Sequence, residues 1–577
     1  GINNMNISVC VLNERYQSSL GSTLLKKARA IISIRFVAVI SALFVITPIL
    51  VIFSSLLQPV SEIWQHIVDT LLVDLLKNTL ILCIGVLAGT YILGVGAAWL
   101  TAVCEFPGRR FFNWALMLPL AIPTYVLAFV FIGLLDFSGP VQTLLRTQFA
   151  SSAEWFPDIR STAGIIIVMS LALYPYVYLL ARNAFQTQGK RALEVSQALG
   201  QNRTKSFFKV ALPMARPWIA SGLMLVLMET LADFGAVSIF NYDTFTTGIY
   251  KAWFGFFSLS AAAQLSSVLL IFVIVLVIVE QQMRAKMQFH QVGKLSTENS
   301  RIRLAGWKKW AACGATSFIV LIAFLIPCIQ LMVWSVKSAA VELDSHYIGL
   351  LIRSLFFSLM AAAIITCLGL HMAYIQRQYP DYFTKWTIRL SSMGYALPGT
   401  VLAVGIVIMV NFTDNQIIWV INTLTGIQLK SILNGTIITV LFAYTVRFLT
   451  AGFNSINSSM YRITRSLDEA STLLGITGVK LLRRIHIPIL KNGLYAAAML
   501  IFVDVMKEMP ITLMTRPFGW DTLAVKIFEL TSEGEWQRAA VPSITLVIAG
   551  LIPLILLNIK SEQSNSIHKP PAKPLRI

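Results

Sequence analysis

The sequence predicts an all-α, polytopic membrane protein of about 12 transmembrane helices, arranged as two parallel six-helix repeats. Three observations predict it. Of the 577 residues, 56% are hydrophobic and only 13% charged, against roughly 25% charged in soluble domains. Apolar runs that match a hydrocarbon core of about 30 Å, which takes about 20 helical residues, recur twelve times. The chain also repeats itself at a constant offset of 275 residues.

The runs lie near residues 31–53, 78–103, 112–135, 163–181, 217–240 and 262–280, then 311–336, 354–376, 390–411, 432–453, 492–514 and 540–558. The first follows about thirty polar residues and has no small-residue cleavage site, so it reads as a retained anchor. The third and ninth contain Pro119, Pro123 and Pro398. A proline deletes a helix hydrogen bond, so these three are expected helix breaks, serving either a packing kink or a segment that lines a cavity. The fifth and eleventh runs contain acids.

The offset joins Glu194 to Glu469, Gly200 to Gly475, Pro213 to Pro488, Pro123 to Pro398 and Lys251 to Lys526. Six helices per copy is an even number. The second copy therefore enters the membrane in the same orientation as the first, with a pseudo-two-fold along the membrane normal. The expected organisation is a cytoplasmic segment 1–30, a membrane domain 31–280, a basic cytoplasmic linker 281–309, a second membrane domain 310–560 and a cytoplasmic tail 561–577.

A net charge of +19 would suit nucleic acid, but the positions of the basic residues decide otherwise. If the amino terminus is cytoplasmic, 35 of the 46 Lys and Arg fall to inside segments, which is the positive-inside pattern with both ends cytoplasmic. Lipid, and no nucleic acid, is the partner this charge implies. The six cysteines form no CxxC pair and read as small buried hydrophobes. His371 reads as a packing histidine and His486, in a basic cytoplasmic stretch, as solvated. The outer loop 138–161 has mixed charge.

Two cytoplasmic loops carry the strongest repeat, "EVSQALGQNRTKSFFKVALP" from Glu194 and "EASTLLGITGVKLLRRIHIP" from Glu469. Each offers a short helix with an apolar face (Ala198 and Leu199; Leu473 and Leu474), a glycine for a sharp turn (Gly200, Gly475) and a proline where the next helix begins (Pro213, Pro488). An amphipathic pair with no core of its own suits a partner's groove.

This Glu, Gly and Pro spacing resembles the EAA loop of ABC importer permeases, although the first copy reads Glu194, Val195, Ser196 and the second Glu469, Ala470, Ser471. The resemblance implies a type I permease fold in the bacterial inner membrane and coupling helices that dock on two copies of a separate cytoplasmic ATPase. It also implies a substrate-loaded extracytoplasmic binding protein. Fusion of both halves, "ETLADFGAVSIF" with "DTFTTGIYKAWF", and "KEMPITLMTRPFGWDTLAVKIFE" are most similar to ferric-iron permeases. Thiamine and aminoalkylphosphonate permeases share the fused layout.

Glu229 and Asp233 stand four apart in an apolar run, and the offset lands on Asp504 and Glu508. Residues i and i+4 share a helix face, so the pseudo-two-fold would gather four acids. Counting from a helix start near Leu490, Asp504 and Glu508 fall roughly 21 and 27 Å from the cytoplasmic edge, in the outer half. Such acids line a substrate path, or pair with Lys507, Arg182, Arg447 or Tyr174, or seat the binding protein. Within the first role, all four are candidate ligands for a hard cation such as Fe(III).

No GxxxxGK[ST] occurs, and "GITGVK" at Gly475 has the wrong spacing. The chain is thus expected to be no enzyme and to bind no cofactor, with ATP and Mg on the partner ATPase. A proton-coupled secondary transporter is the rival class, with a membrane-embedded enzyme third. Neither accounts for two matched cytoplasmic loops.

Overall fold

The structure, a computed structural model, describes residues 35–59, 61–149, 156–186, 203–288, 302–426 and 431–567. Among the described residues, eleven helices are long and apolar enough to cross a membrane. The twelfth expected run, 540–558, lies within the further helix Trp536–Ile567.

The first copy comprises α1 (Arg35–Leu57), α2 (Leu72–Val103), α3 (Thr124–Leu135), α4 (Thr162–Ala184), α5 (Leu212–Ala232), the short α6 (Gly235–Ile239) and α7 (Leu259–Gln288). The second comprises α8 (Trp307–Glu342), α9 (Ser345–Gln378), α10 (Gly399–Thr425), α11 (Ile437–Met460), the short α12 (Arg465–Leu473), α13 (Ile487–Lys507), the short α14 (Pro510–Thr515) and α15 (Trp536–Ile567). Both ends of α5 and α13 differ by 275, as do the starts of α3 and α10 and of α4 and α11. The repeat is therefore structural to the residue. A two-residue parallel bridge, Cys104–Glu105 with Ile302–Arg303, ties the first copy to the linker.

The copies exchange their first helices. Ile52 of α1 fills the space above Gly405 of α10, where a Cβ would stand 2.7 Å from Ile52 Cδ1 and 2.9 Å from the Pro48 carbonyl. Reciprocally, Trp334 of α8 packs over Gly133 of α3, and Phe129 stacks at 6.2 Å on Trp334 and 6.3 Å on Trp536. Because aromatic side chains bury large apolar areas, these crossings join the two halves into interlocked cores.

The proline-bearing spans are interrupted in both copies. A 3-10 turn (Leu118–Ala121, and Gly394–Ala396) precedes Pro123 and Pro398, whose extended backbones (φ −57, ψ 145 and φ −54, ψ 141) start α3 and α10 afresh. Pro119 stands in the first turn of its 3-10 segment.

The acid-bearing spans also differ from their expected form. Glu229 and Asp233 do not share one continuous helix, nor do Asp504 and Glu508: α5 ends at Ala232 and α13 at Lys507, with Asp233 and Glu508 in extended backbone (ψ 129 and ψ 114). An acid carboxylate can satisfy the free N–H groups of a following helix, and both breaks use this.

Candidate functional site

The first acid of each pair, Glu229 or Asp504, lies on the last turn of α5 or α13. The second stands at the break. Asp233 Oδ1 accepts from the N–H of Ala236 at 2.9 Å and of Val237 at 3.3 Å, capping α6. Glu508 Oε1 accepts from the Ile511 N–H at 3.2 Å, capping α14. The two breaks then diverge in chemistry. Thr124 donates its hydroxyl to Asp233 Oδ2 at 2.6 Å, whereas Glu508 Oε2 is ion-paired with Arg447 Nε at 3.4 Å.

All four acids line one cavity of about 220 Å³ between the copies, together with Arg447, Lys507, Tyr125, Tyr176 and Tyr395. They face the bundle interior rather than lipid. Glu229 and Asp504, equivalent under the offset, interact electrostatically across it, and the Tyr395 hydroxyl is within hydrogen-bonding reach of Glu229. The breaks at the prolines leave carbonyls without helical partners, and the two cations take them up. Lys507 Nζ donates to the Leu120 carbonyl at 2.9 Å and Arg447 Nη1 to the Leu397 carbonyl at 3.3 Å.

The four acids do not gather into one metal-binding group. Among the described residues, no set of three or more His, Cys, Asp or Glu side chains could hold a metal ion. The physical reason is that Asp233 and Glu508 are engaged by caps and by Thr124 and Arg447, leaving Glu229 and Asp504 as the lining acids that cap no helix. Of the foreseen partners, Arg447 pairs with an acid. Tyr174 instead donates to the Leu116 carbonyl at 2.9 Å, and Arg182 lies with Tyr178 and Arg109.

Sequence reasoning did not find Tyr176, Tyr395, Thr124 or Gly399. The offset contained a signal: Thr124 matches Gly399 and Ala172 matches Arg447, a small-for-large exchange between copies.

Of the coupling-loop residues, Glu194, Ala198, Leu199 and Gly200 lie outside the described residues. Pro213 and Pro488 occupy the first turns of α5 and α13. Glu469 and Ala470 are on α12, followed by Leu473 and Leu474, which are 90% and 78% exposed. Gly475 turns with φ 75, the left-handed region that glycine enters without strain. His486 departs from its expected solvation. It is fully buried, with Nε2 2.8 Å from Asp468 Oδ1, because the wide π-turn Leu482–His486 rotates it inward. Arg377 completes this anchor, its Nε 2.6 Å from Asp468 Oδ2.

The duplicated fold, the paired broken helices and the two loops matched in sequence at the 275 offset define a class: a fused two-domain permease subunit of an ABC importer. Residues 90–285 match the family described as binding-protein-dependent transport system inner membrane component. The chain is a multi-pass inner-membrane protein, and it is similar to ferric permeases along both halves. It is 28% identical, over 84% of its length and 89% of the relative's, to the Fe(3+)-transport system permease protein FbpB 2 of Haemophilus influenzae. It is 25% identical to the putative ferric transport system permease protein FbpB 1 of the same organism, over 80% of this chain and 74% of that one. The sulfate transport system permease protein CysT of Salmonella typhimurium is 28% identical over only 34% of this chain and 71% of its own.

Proposed function

We propose that the chain passes ferric iron, delivered by an extracytoplasmic binding protein, into the cytoplasm by alternating access of its two copies about the acid-lined cavity. The observation that carries this reading is the convergence of Glu229 and Asp504, one from each copy, with Tyr176 and Tyr395 in one cavity. Carboxylate and phenol oxygens form a hard donor set suited to a hard cation. Two carboxylates rather than a full ligand cage suit a cargo that must leave again. The likeness of ferric permeases along both halves supports the same substrate.

Energy comes from two copies of a separate ATPase, holding ATP and Mg, one at each cytoplasmic loop. The exposed Leu473 and Leu474 offer the apolar contact in the second copy. Both termini are cytoplasmic in this reading. Glu229, Asp233, Asp504 and Glu508 are each replaced by alanine and ferric uptake is measured at equal membrane levels. Uptake falls most for Glu229 and Asp504; unchanged uptake in all four would remove the reading.

A second reading has one observation in its favour. Arg447 and Lys507 also line the cavity, and basic groups suit an anion such as the aminoalkylphosphonate or sulfate of one-half relatives. Four acids against two bases favour the cation. The molecule held by the isolated partner binding protein decides between them.

A further inference from the structure

Lys507 is the least expected residue of the cavity. Its equivalent in the first copy is Ala232, so a single ammonium serves both halves. It does not simply pair with its neighbour Glu508, which Arg447 holds. It reaches across the interface instead, and its Nζ donates to the Leu120 carbonyl of the first copy at 2.9 Å. The Lys507 carbonyl accepts from the Tyr125 hydroxyl at 3.4 Å, a second bond between the copies at the same point.

The surroundings make room for this reach. A Cβ at Gly550 would stand 2.9 Å from Lys507 Nζ and 2.6 Å from the Ala121 carbonyl, so α15 passes here only with glycine. Lys507 lies three residues beyond Asp504, on the neighbouring helix face. It exerts the largest charge influence on Asp504, ahead of Glu229, Arg447 and Glu508. An unbalanced carboxylate in a low-dielectric cavity is costly and draws a counter-charge.

Resting on the ferric-path reading, we propose that the Lys507 ammonium is a tethered counter-cation. It offsets the charge of Asp504 and bridges the two copies until an incoming hard cation takes its electrostatic place. Part of the acid charge is therefore offset without cargo, and cation arrival loosens a contact between the halves. The lysine sets how strongly a cation must bind in order to enter. A small, highly charged ion meets that threshold more readily than a monovalent one, since its attraction to two carboxylates scales with its charge.

The test uses the full purified chain in detergent, with terbium(III) as the probe and its luminescence, sensitised by nearby aromatic residues, as the readout. Gel filtration and thermal melting verify that each variant is folded. Lys507→Met binds terbium about tenfold more tightly than wild type, because the competing internal charge is gone while the side chain length remains. Lys507→Arg, which keeps the charge, stays near wild type. Asp504→Asn and Glu229→Gln bind more weakly. Equal or weaker binding by Lys507→Met, with Asp504→Asn still impaired, overturns the counter-cation role and leaves the ferric path standing. Equal binding by all four variants and wild type removes both.

Discussion

Arg447 Nε lies 3.4 Å from Glu508 Oε2, and the space between these residues exists because position 399 is glycine. A Cβ there would stand 2.8 Å from Arg447 Nη1 and 2.9 Å from Glu508 Oε1. In the first copy Thr124 occupies the equivalent position and donates to Asp233, with Ala172 where the second copy has Arg447. The two breaks solve one problem, a carboxylate at a helix end, with different partners.

The exchange is testable as a swap. Arg447→Ala leaves Glu508 buried without its cation and costs about 3 kcal/mol. Adding Gly399→Thr supplies a hydroxyl where Thr124 stands in the other copy. The double variant is expected to melt above Arg447→Ala alone in detergent. A double variant less stable than the single would show that the copies are not interchangeable here.

The acids divide by role. Asp233→Ala removes a cap from a short helix and is expected to lower stability by about 0.5–2 kcal/mol, and Glu508→Ala, which also strands Arg447, by about 3 kcal/mol, each lowering uptake as well. Glu229→Gln and Asp504→Asn remove charge from the cavity but no cap, so uptake falls while the melting temperature holds. Thermal melting alongside ferric uptake at matched expression separates the two effects.

Acid sensitivity is expected at the loop that begins with α12. Burial pushes the Asp468 carboxyl up, but hydrogen bonds from His486 and Arg377 and their charges outweigh it and hold the group below the ordinary carboxylate range. Its contribution to stability is therefore complete above its unfolded value of about 3.9 and is lost as pH falls through the lower folded value. Asp468→Asn flattens this part of the acid melting curve. Arg377→Met, which also releases the Met460 and Thr464 carbonyls, lowers stability by about 1–3 kcal/mol.

The exchanged first helix gives a further expectation. Gly405→Val drives branched methyls toward the Pro48 carbonyl and Ile52, and overpacking of this kind costs about 1–3 kcal/mol. A melting temperature unchanged from wild type would mean that α1 does not rest on α10 in solution.

Much of the architecture was legible in the chain, because the bilayer imposes length and apolarity on every crossing element. Pro123 and Pro398 marked real interruptions because a proline lacks the N–H that continues a helix, although Pro175 and Pro217 are accommodated within α4 and α5. The helix end at Ala232 was not legible, since nothing in "METLADFGAV" outweighs helical periodicity until the carboxylate of Asp233 finds the N–H groups beyond it. The end at Lys507 did carry a local signal, Pro510, which opens α14 after the break. His486 failed for a related reason: a basic neighbourhood suggested water, while a turn of wider pitch placed the ring inside.

By itself, then, the sequence determined the duplication, the parallel relation of the copies, the pairing of acids at one offset and the spacing of the two Glu, Gly and Pro loops. These depend on composition, periodicity and spacing, which are properties of the chain. Only the tertiary structure decided which acids face the cavity, that Arg447 rather than Arg182 answers Glu508, and that Lys507 crosses to Leu120. Those outcomes depend on which groups meet across an interface, and charges buried together are balanced by whatever lies within a few ångströms, however distant in sequence.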